Sequence, residues 1–159
     1  MLLDSKLEKI YIKLQQDILK CVFTEKGDYN FFQDLHNLYV IKNNCCIYIL
    51  DKNYVYIDLD KLQVKDISKA LCNVVSNTDI ESEAFNTNII QKYDKLNLMR
   101  FTNNDNTIQC YYDSKYLKDI DTNMYKCYFK PCKDNYKNLV VFSDENNIFM
   151  CLMPTKTNY

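Results

Sequence analysis

Residues 37–60 read NLYVIKNNCCIYILDKNYVYIDLD, and this stretch decides the fold class. Leu38–Ile41, Cys45–Leu50 and Tyr54–Leu59 are short runs rich in β-branched and aromatic residues. Asn43-Asn44 and Asp51-Lys52-Asn53 separate them, and both are turn-forming groups. Three such runs with short polar connections predict a three-stranded antiparallel meander.

Upstream the period changes. Leu3, Leu7, Ile10, Leu14 and Ile18 recur at three- and four-residue steps, which predicts an amphipathic helix over about 4–21, with Asp4 or Ser5 as its cap. Lys6, Lys9, Lys13 and Lys20 fall within a sector of about 60° opposite that stripe. Gly27-Asp28 marks a turn into a short irregular stretch. Downstream, Val64–Val75 predicts a second helix that buries Ile67, Leu71, Val74 and Val75. The polar stretch Ser76–Glu83 divides the chain into halves 1–78 and 79–159.

The second half is expected to repeat the order of the first. Asn86–Leu96 reads as a helix, placed at about 86–97, capped by Asn86 or Thr87 and burying Ile89, Ile90, Tyr93 and Leu96. Lys92 and Lys95 would lie on its exposed side. Strands are expected at Thr107–Tyr112, Met124–Phe129, Leu139–Phe142 and Ile148–Met153, the last two joined as a hairpin through residues 144–147. The expectation is a single α+β domain of antiparallel sheets with two or three helices, in which a helix-plus-strands unit is duplicated. IYILDKNYVYIDLDK and IQCYYDSKYLKDIDT are the two segments that carry the duplication, mostly through their composition.

Composition bounds the function. The chain's 159 residues correspond to one domain, and 47% hydrophobic content is enough to build a core. Arg100 is the sole arginine among 20 basic residues, Gly27 is the sole glycine, and Asn, Lys, Ile and Tyr abound. That bias matches A/T-rich coding, as in many viruses and phages, so most Tyr and Asn need no special role. One glycine cannot build a phosphate-binding loop or a dinucleotide fingerprint. One histidine, His36, excludes a two-His metal motif and makes a Cys-His nucleophile improbable. A net charge of −1 argues against coating nucleic acid by bulk charge, without excluding a local basic face. Neither a leader nor a membrane-spanning run is evident, so an intracellular protein is expected, in the host cytoplasm if viral. Eight cysteines are then expected as free thiols. Cys127 and Cys132 have a spacing that zinc knuckles sometimes use, and Cys45-Cys46 could add two thiolates, but adjacent cysteines make a poor pair. Asp58 and Asp60 could hold a metal or flank a substrate, although solvated carboxylates are the commoner meaning. No catalytic residue, metal site or cofactor is expected. The lysine stripe reads either as a solvated helix face or, since its charges are segregated by sign, as a phosphate-contacting one.

The C-terminal stretch LVVFSDENNIFMCLMPTKTNY, residues 139–159, joins an apolar strand, an acidic turn, a second strand, a Met-Pro pair and a basic residue. It resembles the C-terminus of DNA polymerase sliding clamps of the bacterial β-clamp type. AFNTNIIQKYDKL (84–96) is similar to the start of a helix that opens a clamp domain. NLYVIKNNCCIYILDKNYVYIDLDKL (37–62) is similar to a clamp strand pair, without the family's Gly and Arg. The resemblance implies a non-enzymatic protein acting on replication proteins. It implies duplex DNA held non-specifically by Lys6, Lys9, Lys13, Lys20, Lys92 and Lys95, and a partner peptide near Leu152, Met153 and Pro154. A clamp subunit carries three such domains, so a ring of chains this size would be a homo-oligomer of about six copies. The alternative is a small viral or phage effector that binds and inhibits a host protein through a strand edge or a Tyr-rich surface.

Overall fold

The computed structural model describes residues 5–24, 29–76, 80, 82–131, 138–144 and 147–155. The chain forms two compact units, Met1–Val74 and Val75–Tyr159. Ten strands and two α-helices occur among the described residues, so the fold is α+β with the sheet dominant.

Unit 1 opens with α1, Ser5–Thr24. Leu7, Tyr11, Leu14 and Ile18 are buried along it, as their spacing predicts. Strands β1 (Tyr29–Gln33), β2 (Asn37–Lys42) and β3 (Cys46–Asp51) follow as an antiparallel meander. Asn43 and Asn44, with φ of 55° and 53°, make the β2–β3 turn, closed by the Cys45 amide donating to the Lys42 carbonyl. Asparagine tolerates this left-handed conformation better than most residues, and a turn with two positive φ angles matches the twist of a hairpin. A short β4 (Val64–Asp66) then pairs parallel with β1, giving the order β4-β1-β2-β3, and α2 (Lys69–Val75) ends the unit.

Two expectations for this unit are corrected. The third strand expected at Tyr54–Leu59 is not a strand. Asp51 and Asp58 each cap a 3-10 turn, Lys52–Tyr54 and Leu59–Lys61, by accepting from the backbone amides of Asn53 and Asp60. Between the turns the backbone bonds to α1, not to a neighbouring strand. Buried Gln15 donates to the Tyr54 carbonyl, and its side-chain oxygen accepts from the amides of Tyr56 and Ile57. A side-chain amide thus supplies what a sheet ladder would have supplied. The second correction is to the helix expected over 64–75. It begins at Lys69, because 64–66 form β4, and Ser68 Oγ accepts from the Leu71 amide in its first turn.

In unit 2 the helix expected at 86–97 is replaced by a hairpin of β5 (Ser82–Tyr93) and β6 (Leu96–Thr102). Ile90 and Tyr93 lie in the regular part of β5 and Leu96 opens β6 beyond the turn, so their helix-like spacing spans a strand and a turn, with a bulge just before them. Asn86 pairs with Phe101 but Ile90 pairs with Met99, so Thr87, Asn88 and Ile89 stand opposite Arg100 alone. Asn88 takes φ 59°, and Thr87 Oγ1 donates to the Arg100 carbonyl. Asp94, at φ 55°, turns the chain into β6. The expected repeat of a helix followed by strands is therefore absent from the described residues of this unit.

Strands β7 (Gln109–Asp113), β8 (Lys126–Pro131), β9 (Asn138–Asp144) and β10 (Asn147–Leu152) lie close to their expected places. The order is β10-β9-β8-β5-β6-β7, antiparallel throughout. β5 gives its first residues to β8 and the remainder to β6, so it joins the β10-β9-β8 strands to the β6-β7 pair. Phe101 meets Tyr112 and Phe142 edge-on inside the fold, and the Tyr112 hydroxyl donates to the Asn138 carbonyl. After β10 the Thr155 amide donates to the Tyr111 carbonyl on β7.

Candidate nucleic-acid interface and protein-binding surfaces

Helix α1 positions the lysines. Its buried stripe fixes the rotation, and Tyr11 locks it by donating through its hydroxyl to the Ile49 carbonyl on β3 at 2.8 Å. Lys6, Lys9, Lys13 and Lys20 are consequently all exposed. Glu8 is also exposed but lies off the lysine sector, whereas half-buried Asp17 sits at the sector's edge. Beside it run Ile12 and Leu19, each 39% exposed, with Tyr56 donating its hydroxyl to the Ile12 carbonyl. The face is thus a row of cations with an apolar margin.

Lys92 and Lys95 are exposed as well, but they stand on β5 and on the β5–β6 turn, not on a helix. Leu152 is fully buried in β10 and belongs to the core, whereas Met153 and Pro154 are half-buried. Any partner contact in that region would run through Met153 and Pro154. Unit 2 also exposes Phe85, Ile89, Ile90 and Met124, from 44% to 57%. The bulge puts Ile89 and Ile90 there, a placement that the helical reading of the sequence had reversed.

The remaining candidates have structural employment. Asp58 caps its 3-10 turn, and Asp60 is exposed beside it. His36 is exposed at the tip of the β1–β2 connection, where its backbone amide donates to Asp34 and its carbonyl accepts from Lys52. Cys45, Cys46, Cys72, Cys110, Cys127 and Cys151 form no disulfide. Burial pushes the Cys127 and Cys151 thiols up to about 12, which keeps them protonated and unreactive. Cys132, and the side chain of Cys21, lie outside the described residues. Among the described residues no three His, Cys, Asp or Glu side chains cluster as metal ligands. No described helix is long and apolar enough to cross a membrane.

A cleft of about 260 Å3 lies in unit 1 between Tyr29–Phe32 on β1 and Lys61–Lys65. It escaped sequence reading because 29–33 carries no alternation strong enough to mark a strand. Comparison with protein-family models, curated proteins and solved structures yields no match to this chain.

Proposed function

We propose that this chain is a non-enzymatic binding protein of the sliding-clamp kind, which acts on replication proteins and holds duplex DNA through the lysine face of α1. One observation carries the DNA contact: Lys6, Lys9, Lys13 and Lys20 all stand exposed on one side of a helix whose other side is anchored in the core. Such a row contacts phosphates and does not read bases, so the binding is indifferent to sequence. The test is fluorescence anisotropy with a labelled duplex at two salt concentrations. Wild type is expected to bind with a slope of roughly −0.9 in log K against log salt for each phosphate contact. Replacing the four lysines by Gln keeps helix propensity similar and should abolish binding without unfolding the chain. Equal binding by both proteins, or none by wild type at low salt, would return the row to an ordinary solvated face. Since net charge is −1, a single copy binds weakly and several copies presenting the face together bind tightly. Light scattering with and without duplex measures that assembly.

The second reading, a viral or phage effector that inhibits a host protein, draws on unit 2. Phe85, Ile89, Ile90 and Met124 are large apolar side chains left in solvent, a group more often found at protein interfaces than on inert surface. A duplex-independent mass together with loss of partner capture in Ile89→Ser/Ile90→Ser would favour it.

A further inference from the structure

We infer that the fork between β1 and residues 61–65 is a binding site for single-stranded nucleic acid, separate from the α1 lysine face. β4 pairs with β1 only from Phe31↔Val64 to Gln33↔Asp66. Before Val64 the chain is occupied by the 3-10 turn Leu59–Lys61, so the pairing with β1 stops at Phe31 and the two segments diverge beside Tyr29 and Asn30. The gap is the cleft of about 260 Å3. Its chemistry is one-sided. Tyr29, Phe31 and Phe32 supply aromatic surface, Lys61 and Lys65 supply positive charge, and no carboxylate is among the described residues that line it. Asp58 caps the 3-10 turn by accepting from the Asp60 amide, and Asp60 and Asp66, the exposed sequence neighbours of Lys61 and Lys65, are not among the residues that line the cleft.

The occupant follows from that combination. Tyr29 and Phe31 lie nearly parallel, 16° apart with centroids at 6.2 Å, and Lys42 stands 5.8 Å from the Tyr29 centroid. Phe31 is buried, so Phe32, half-buried on the other face of β1, is the ring best able to receive a flat partner. Both lysines are exposed at the mouth. An acidic peptide would use the lysines and leave the rings idle. A base stacked on an aromatic ring with its phosphates on lysines uses both, which is the general logic of single-strand recognition. A duplex, whose bases are already stacked, cannot offer one.

The experiment titrates a labelled oligonucleotide of eight thymidines with wild type, Lys61→Gln/Lys65→Gln, Phe32→Leu and the four-Gln variant of α1, with circular dichroism confirming that each is folded. The lysine pair and Phe32→Leu should each weaken binding about tenfold, and losing two phosphate contacts should flatten the salt slope by about 1.4. The four-Gln variant should retain single-strand binding, so failure of the duplex proposal leaves this one standing. Unchanged binding in Lys61→Gln/Lys65→Gln, no binding by wild type at low salt, or competition by an eight-residue poly-Glu peptide as strong as that by unlabelled oligonucleotide would each overturn the site. An effect of the lysine pair without one of Phe32→Leu would overturn the stacking and leave an anion patch only.

Discussion

The meander β1–β2–β3 of unit 1 and the meander β5–β6–β7 of unit 2 are the same device finished in two ways. NLYVIKNN (37–44) stands where NLMRFTNN (97–104) stands, and ILDKNY (49–54) where YYDSKY (111–116) stands. In each, the last strand ends in an aspartate, Asp51 or Asp113, whose carboxylate caps a 3-10 turn closed by a tyrosine, Tyr54 or Tyr116. The two Asn-Asn pairs open different loops: a two-residue turn in unit 1, and in unit 2 a longer one held by the Asn103 side chain, which accepts from the Ile108 amide and donates to Thr107. The larger difference follows the tyrosine. In unit 1 the chain after Tyr54 is fastened to α1 by Gln15. In unit 2 Tyr116, Leu117, Ile120 and Tyr125 are themselves buried, so the segment after the meander becomes core without a helix. A repeated strand unit fixes strand order locally, but it leaves open what covers the sheet.

Removing the fastening should have the largest effect and should confine it to one unit. Gln15→Ala leaves the Tyr54 carbonyl and the amides of Tyr56 and Ile57 unsatisfied beside a new cavity. A loss of about 3 kcal/mol is expected in urea unfolding. Hydrogen exchange should rise at 54–57 while 98–113 keep their protection. A cost below about 1 kcal/mol, or deprotection spread equally over both meanders, would show that Gln15 is not the fastening.

The shared part of the comparison predicts matched effects. Asp51→Ala and Asp113→Ala each remove a cap from the backbone amide of the second residue of a 3-10 turn. Each is expected to cost about 1 kcal/mol. Asp113 is the more buried and also meets Lys115 at 3.6 Å, but that pair is largely exposed on the lysine side and adds little. A several-fold larger cost at one site would mean that the two turns resemble each other only in outline.

What the sequence made legible follows the same division. The stripe through Leu7, Leu14 and Ile18 was readable because one residue period governs the helix, and 38–50 and 139–152 were readable as short runs of strand-forming residues broken by polar turns. The bulge at Thr87–Ile89 breaks β5, and the turn at Asp94 sets Leu96 three positions after Tyr93, so 86–97 mixes a strand, a bulge and a turn and reads as the wrong element. The run 54–59 is rich in strand-forming residues, yet a single buried Gln from another element claims its backbone, and no local pattern reveals that. For the candidate sites, the exposure of the α1 lysines was implied by the stripe opposite them. Leu152, by contrast, is core because the strand it ends is buried, and the cleft at Tyr29–Phe32 depends on a parallel pairing to residues over thirty positions away.

The smallest expected effect concerns the two hairpin turns, where equivalent aspartates do different work. Asp94 turns the chain through its own positive φ, whereas Asp34 does so through its carboxylate. Asp34 Oδ1 accepts from the amides of His36 and Asn37, and its Oδ2 accepts from the Tyr39 hydroxyl at 2.6 Å. Partial burial pushes the Asp34 carboxyl up, but the Tyr39 hydroxyl and the two amides outweigh it and hold the group below its usual value. Burial, and then the bond to Asp34, push the Tyr39 phenol up to about 12. The two signs differ. The Asp34 contribution is present above the ordinary carboxylate range and is lost as pH falls through the lowered value. The Tyr39 contribution is complete below about 10, the unfolded value, and is lost as pH rises towards about 12. Tyr39→Phe removes one hydrogen bond and should cost about 1 kcal/mol at neutral pH. The difference between wild type and Tyr39→Phe should shrink as pH is raised from about 10 to 12, and also at the acid end once Asp34 protonates. Asp94→Asn, which keeps a residue tolerant of positive φ, should show neither trend. Urea unfolding of the three proteins across pH measures this directly, and a constant difference between wild type and Tyr39→Phe would mean that the Asp34–Tyr39 bond does not set the turn.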